Sequence, residues 1–109
     1  MKITVQEAKQ ILLEFLNNKQ PCVYALFCEP SAPDRMLICR LKVRVIRLFS
    51  DSAGSVKGTL MAESLNGHYD IGINEKVEAR HVYISYEDAM IGAGVPYDKI
   101  DYLGQEPEQ

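Results

Sequence analysis

The sequence predicts an α+β domain: an N-terminal amphipathic helix, then a five-stranded antiparallel meander, then a short C-terminal helix or irregular segment. Three observations predict it. A capping box near the N-terminus opens an apolar stripe at helical spacing. Apolar and polar residues alternate along Met36–Phe49. An Asn-Gly pair joins two further β-like runs.

The helix comes first. Thr4 and Glu7 have the Thr-x-x-Glu spacing in which each side chain caps the other's main-chain amide. Val5, Ala8, Ile11, Leu12, Phe15 and Leu16 then recur on one face, which must be buried. Asn17 and Asn18 tolerate a left-handed C-terminal geometry, and Pro21 blocks continuation.

"CVYALFC" (22–28) is apolar on both faces and reads as a central strand covered on both sides. "EPSAPDR" reads as a loop. In the long strand that follows, Leu37, Cys39, Leu41, Val43 and Val45 point one way, and Arg40, Lys42 and Arg44 the other. The alternation fails at "VIRLF", where a bulge or bend near Val45–Arg47 restores the phase. Asn66-Gly67 reads as a two-residue hairpin turn. It sets Glu63 opposite Asp70 and Leu60 opposite Ile73, with Leu60, Ala62, Tyr69, Ile71 and Ile73 on the core face. "EARHVYISY" reads as the last strand, after a loop at Asn74–Lys76. Ser85 and Gly92 or Gly94 bound a short helix, and Tyr97, Ile100 and Tyr102 dock from an irregular segment. Five short, curved strands can close into a small barrel of the SH3-like or Sm-like kind. Residues 1–104 then form one domain and 105–109 a frayed tail.

Composition narrows the function classes. The chain has 109 residues, enough for one domain, with 47% hydrophobic and 25% charged residues, as in an ordinary globular protein. No signal peptide, lipidation motif or membrane-spanning run is recognisable, so the expected location is the cytoplasm, without membrane contact. Cys22, Cys28 and Cys39 lack CxxC spacing and read as buried thiols, neither zinc ligands nor a disulfide. No cofactor is implied. The net charge of −3 is uneven: residues 1–50 carry eight Lys/Arg against four Asp/Glu, residues 51–109 four against eleven.

Two groups of residues are candidates for function. Arg40, Lys42 and Arg44 form a basic ladder about 7 Å apart, near the phosphate repeat of a single nucleic-acid strand. No aromatic side chain sits between them for base stacking, and the chain is acidic, so carboxylates of the same fold or of a partner are the better match. Glu63, His68 and Asp70 share the non-core face of the hairpin, and His81 and Tyr83 join them if Val82 and Ile84 point inward. Such a set can bind a divalent metal or a small ligand, or supply an acid and a base. No catalytic motif accompanies it. The expectation is a non-enzymatic protein that binds another protein or copies of itself, with the hairpin cluster as the alternative site and nucleic-acid binding as a weaker one.

Overall fold

The computed structural model describes residues 1–64, 67–75 and 80–103, which form one mixed sheet, bent into a nearly closed barrel, and two helices. Leu65, Asn66 of the expected Asn66-Gly67 turn, residues 76–79 with the start of the expected last strand, and residues 104–109 with the expected tail lie outside the described residues.

The helix is preceded by a strand, β1 (Lys2–Thr4), which pairs in parallel with β5 (Gly67–Asn74). Ile3 lies opposite Ile73, and both are fully buried. Three residues are too few to show a period, so only pairing reveals them. Helix α1 (Val5–Leu16) starts as expected. Glu7 N–H donates to Thr4 Oγ1 at 3.1 Å, and Thr4 N–H donates to Glu7 Oε1 at 3.1 Å. Asn18 takes φ 57° just beyond its end. The apolar stripe is only partly covered. Ala8 and Ile11 are buried and Val5 and Phe15 pack against the core, but Leu12 and Leu16 are 38% and 71% exposed, with Leu13 beside them at 58%. The helix meets β1 and β5 through a narrow strip, and the far edge of the stripe stays in solvent.

Strands β2 (Cys22–Glu29) and β3 (Ala32–Ser50) form a tight hairpin, with Glu29 opposite Ala32. Most of the expected loop is therefore strand. Pairing resumes at Cys28–Met36, so Pro33, Asp34 and Arg35 bulge out, which fits a proline with no N–H to give to the ladder. Further on, Val43 faces Ala62 while Val45 faces Met61 on β4 (Val56–Ser64), leaving Arg44 as an extra residue. The break lies one residue before the expected stretch, and its effect is the expected one. Ile46 and Leu48 return to the core, and Val45, Arg47 and Phe49 face solvent.

The β4–β5 register differs from expectation by two residues: Glu63 faces His68, Ala62 faces Tyr69, and Leu60 faces Ile71. An even offset keeps every side chain on its face. Leu60, Ala62, Ile71 and Ile73 are buried together, with Tyr69 packed against them.

The remainder departs from a meander. Strand β6 (Val82–Tyr83) is short and pairs with β2, not β5, and its far side approaches β1 to bring the barrel near closure. Helix α2 (Tyr86–Ala93) is capped by Ser85, whose Oγ accepts from Asp88 N–H at 3.1 Å, and ends at Gly94 with φ 66°. After a 3-10 turn (Tyr97–Lys99), β7 (Ile100–Leu103) lies parallel to β3. Ile100 and Tyr102 dock as expected, whereas Tyr97 is 73% exposed.

The sheet order is β1-β5-β4-β3-β2-β6, with β7 on the first half of β3. This gives two cores. The larger fills the barrel, around Val23, Leu41, Val43, Leu60 and Ile71. The smaller, around Leu26, Ile38 and Ala89, lies between the outer sheet face and α2. Helix α2 packs on β2, β3 and β6. The outer face of β4, β5 and the last part of β3 has no helix over it among the described residues. No described helix is long and apolar enough to cross a membrane.

Candidate functional site

The hairpin residues are brought together only in part. Glu63 stands opposite His68, with His68 Nδ1 3.5 Å from Glu63 Oε2, and the Arg44 guanidinium also bonds to Glu63. The arginine bulged out of β3 thus supplies the cation that the acidic hairpin face calls for. Asp70 lies two residue pairs further along, opposite Met61. His81 and Tyr83 belong to the neighbourhood of β2. The carbonyl of His81 accepts from Leu26 N–H at 2.8 Å, and Tyr83 faces Tyr24. The Tyr83 ring lies against Gly92, with the Arg80 guanidinium 5.0 Å from its centroid. Arg80 also pairs with Glu7 of the capping box. No group of three His, Cys, Asp or Glu side chains able to hold a metal ion occurs among the described residues.

The basic ladder is divided among three settings. Arg44 meets Glu63. Lys42 sits between Cys22 and Glu63 across its two neighbouring strands. Arg40 is half-buried opposite Tyr24, close to the second core. Tyr24 and Tyr86 meet edge to face with centroids 6.0 Å apart, and Tyr86 and Tyr102 at 5.2 Å. Burial pushes the Tyr24 and Tyr102 hydroxyls up, against the opposing pull of the Arg40 charge. Tyr24 and Tyr102 therefore stand near an arginine that the alternation alone placed on an open face, and Tyr86 meets both rings. They engage one another under α2, and this is packing rather than an open stacking platform.

A second polar network was not visible in the sequence. Arg35, on the β3 bulge, donates to Asp101 on β7 through Nε at 2.9 Å and Nη2 at 2.7 Å. This bidentate pair holds the Asp101 carboxyl well below the usual carboxylate range. Glu29 lies 3.9 Å from Arg35 Nε, and the neighbouring Asp101 carboxylate pushes its own carboxyl up. Lys99 reaches Asp34 at 3.1 Å. Both links fasten the parallel strand β7 to the bulge. Their partners lie 66 and 65 residues apart in sequence, beyond the reach of any local pattern.

The three thiols differ. Cys39 is buried and pushed up by desolvation, Cys22 is half-buried, and Cys28 is exposed at the end of β2, contrary to the expectation for it. The side chain of Cys28 falls where the bulge opens the sheet.

The uncovered sheet face is the remaining candidate. Across it, Val45, Met61 and Asp70 form one row, and Arg47, Thr59 and Gly72 the next. Val45, Arg47, Thr59, Met61 and Asp70 line a shallow depression of about 200 Å³. Val45 is 40% exposed, and Phe49, at the end of the same face, 55%. The floor is apolar, with Arg47 on one side and Asp70 on the other. Sequence reading put Val45 in the core because the phase break at Arg44 could not be placed to the residue. Compared with models of known protein families, with curated proteins and with solved structures, the chain has no significant match.

Proposed function

We propose that this chain is a non-enzymatic protein-interaction domain whose binding surface is the uncovered outer face of β3, β4 and β5. One observation carries the reading: the two halves of the sheet are treated differently. The half formed by β2, β7 and the start of β3 is sealed by α2. The other half presents Val45 and Phe49 to solvent between charged side chains. An apolar centre with a charged rim is the make-up of a protein-binding patch. The barrel core beneath it, with Leu60, Ala62 and Ile71 fully buried, makes the platform rigid.

The test compares the wild-type chain with Val45→Glu. A carboxylate at the centre of the face costs binding energy while the barrel, which Val45 does not enter, still forms. A protein recovered on the wild-type chain is identified, purified and titrated against both. Binding weakened at least about tenfold by Val45→Glu supports the reading. Equal binding of every partner by both chains, self-association included, overturns it.

A further inference from the structure

We infer that the occupant of this face is a second copy of the chain, placed by a two-fold axis that sets Arg47 of each copy against Asp70 of the other. The inference rests on the binding face proposed above and adds its partner.

The argument is electrostatic. Several charged side chains around the depression are already matched: Arg44 with Glu63, Glu63 with His68, and Lys57 with Asp51 at 3.5 Å, while Lys2 of β1 stands at its edge beside Gly72. Arg47 and Asp70 are both exposed, and neither has an ion pair among the described residues. They stand on β3 and β5, two strands and two residue pairs apart, which is about 12 Å at ordinary sheet spacing. That separation is too long for a direct pair within one chain.

A cation and an anion flanking an apolar floor, neither of them ion-paired, form a self-complementary pattern. An in-plane two-fold axis crossing the line between them at its midpoint exchanges the two positions. Each charge then meets its opposite twice over, while Val45 and Met61 cover each other. A partner carrying charge of one sign would satisfy Arg47 or Asp70 and repel the other. The chain carries −3 overall, yet within the depression Arg47 and Asp70 balance each other.

The face is small. Three strands of about six residues give a footprint on the order of 300 Å², below the roughly 800 Å² per partner of a standard interface. The dimer is therefore weak, with a dissociation constant on the order of 10–100 µM, and its affinity falls with added salt.

Sedimentation equilibrium from about 5 to about 500 µM tests this, bracketing that constant. The wild type dimerises. Arg47→Asp and Asp70→Arg each place like charges together at both ends of the two-fold and weaken dimerisation at least about tenfold. An equimolar mixture of the two variants associates again, as does the double variant R47D/D70R. Recovery by mixing shows that each single variant is folded. A wild type that stays monomeric throughout, or single swaps with unchanged association, or a mixture that fails to recover, overturns the inference. The broader reading fails separately. Dimerisation abolished by Val45→Glu but indifferent to the charge swaps leaves the face intact as a binding surface and removes only this pairing. Dimerisation abolished by Leu13→Glu on α1, and not by Val45→Glu, removes both.

Discussion

Two glycines of the same sheet should respond in opposite ways to one added methyl group. At Gly58 a Cβ would lie 2.0 Å from the carbonyl oxygen of Arg47, and 3.1 Å from Leu48 Cδ2. An ordinary carbon–oxygen contact is about 3.3 Å, so the two strands must part by about 1.3 Å. The obstructing oxygen is main chain, on the long strand that Gly58 faces through Leu48, and no side-chain rotation relieves it. Overpacking costs about 1–3 kcal/mol, and straining a ladder hydrogen bond adds about 1 kcal/mol. Gly58→Ala should therefore lose about 2–4 kcal/mol. With a urea slope of about 1.5 kcal/mol per M, the unfolding midpoint falls by roughly 1.3–2.7 M. Gly72 is the internal comparison. Its Cβ would meet the Met1 carbonyl oxygen at 3.7 Å, an ordinary contact. Alanine there should leave the midpoint unchanged or raise it slightly, because it restricts the unfolded chain. Strand propensity alone predicts a gain of about 0.5–1 kcal/mol at both sites. Urea titration by circular dichroism separates the two accounts. A Gly58→Ala midpoint at or above wild type, or a Gly72→Ala loss of similar size, would refute the close-approach argument.

Other expectations follow from the same contacts. Ile38→Ala empties the centre of the smaller core and should cost about 2–5 kcal/mol, read as a lowered urea midpoint. Asp101 is depressed by Arg35, so its stabilising effect is complete above the ordinary carboxylate pKa of about 4 and is lost as pH falls below it. Asp101→Asn should accordingly be less stable than wild type at neutral pH, with the gap closing as pH falls below about 4; a gap constant in pH would contradict this. Alkylation followed by mass spectrometry should label Cys28 first and Cys39 only on unfolding, since burial both shields the Cys39 thiol and raises its pKa.

What was legible in the sequence had a local cause. The capping box, the Asn18 left-handed turn and the Ser85–Gly94 helix limits depend on residues within a few positions of each other, and the structure has each of them. The core face of the hairpin survived a register error because only parity decides which side a residue takes. The long strand shows where this stops. Val43 is the last residue in phase and Ile46 the first in the new phase, so the extra residue lies somewhere between them. The alternation cannot choose among the candidates, and pairing with β4 chooses Arg44. The short strands β1, β6 and β7 exist only through partners 70, 57–59 and 64 positions away. The candidate hairpin site shared that weakness. His81 and Tyr83 were placed by assuming that β6 follows β5 in the sheet, whereas β2 claims it. The apolar face around Val45 was hidden by the same one-residue ambiguity that displaced the bulge.

The sharing of β3 between two cores has a consequence for how the molecule opens. The smaller core is closed by a C-terminal segment, residues 85–103, that lies outside the barrel except where Leu103 packs against the larger core. Its release would uncover Leu26 and Ile38 while leaving Val43, Leu60 and Ile71 enclosed. Native-state hydrogen exchange should then divide the amides into two populations. Those of α2 and β7 exchange through a partial opening, and those of the β3–β4 ladder only when the whole chain unfolds. In that partly open form the first half of β3 becomes an unpaired edge along Met36–Cys39. The Arg35–Asp101 clasp thus sets how often a sticky strand is presented to the surroundings.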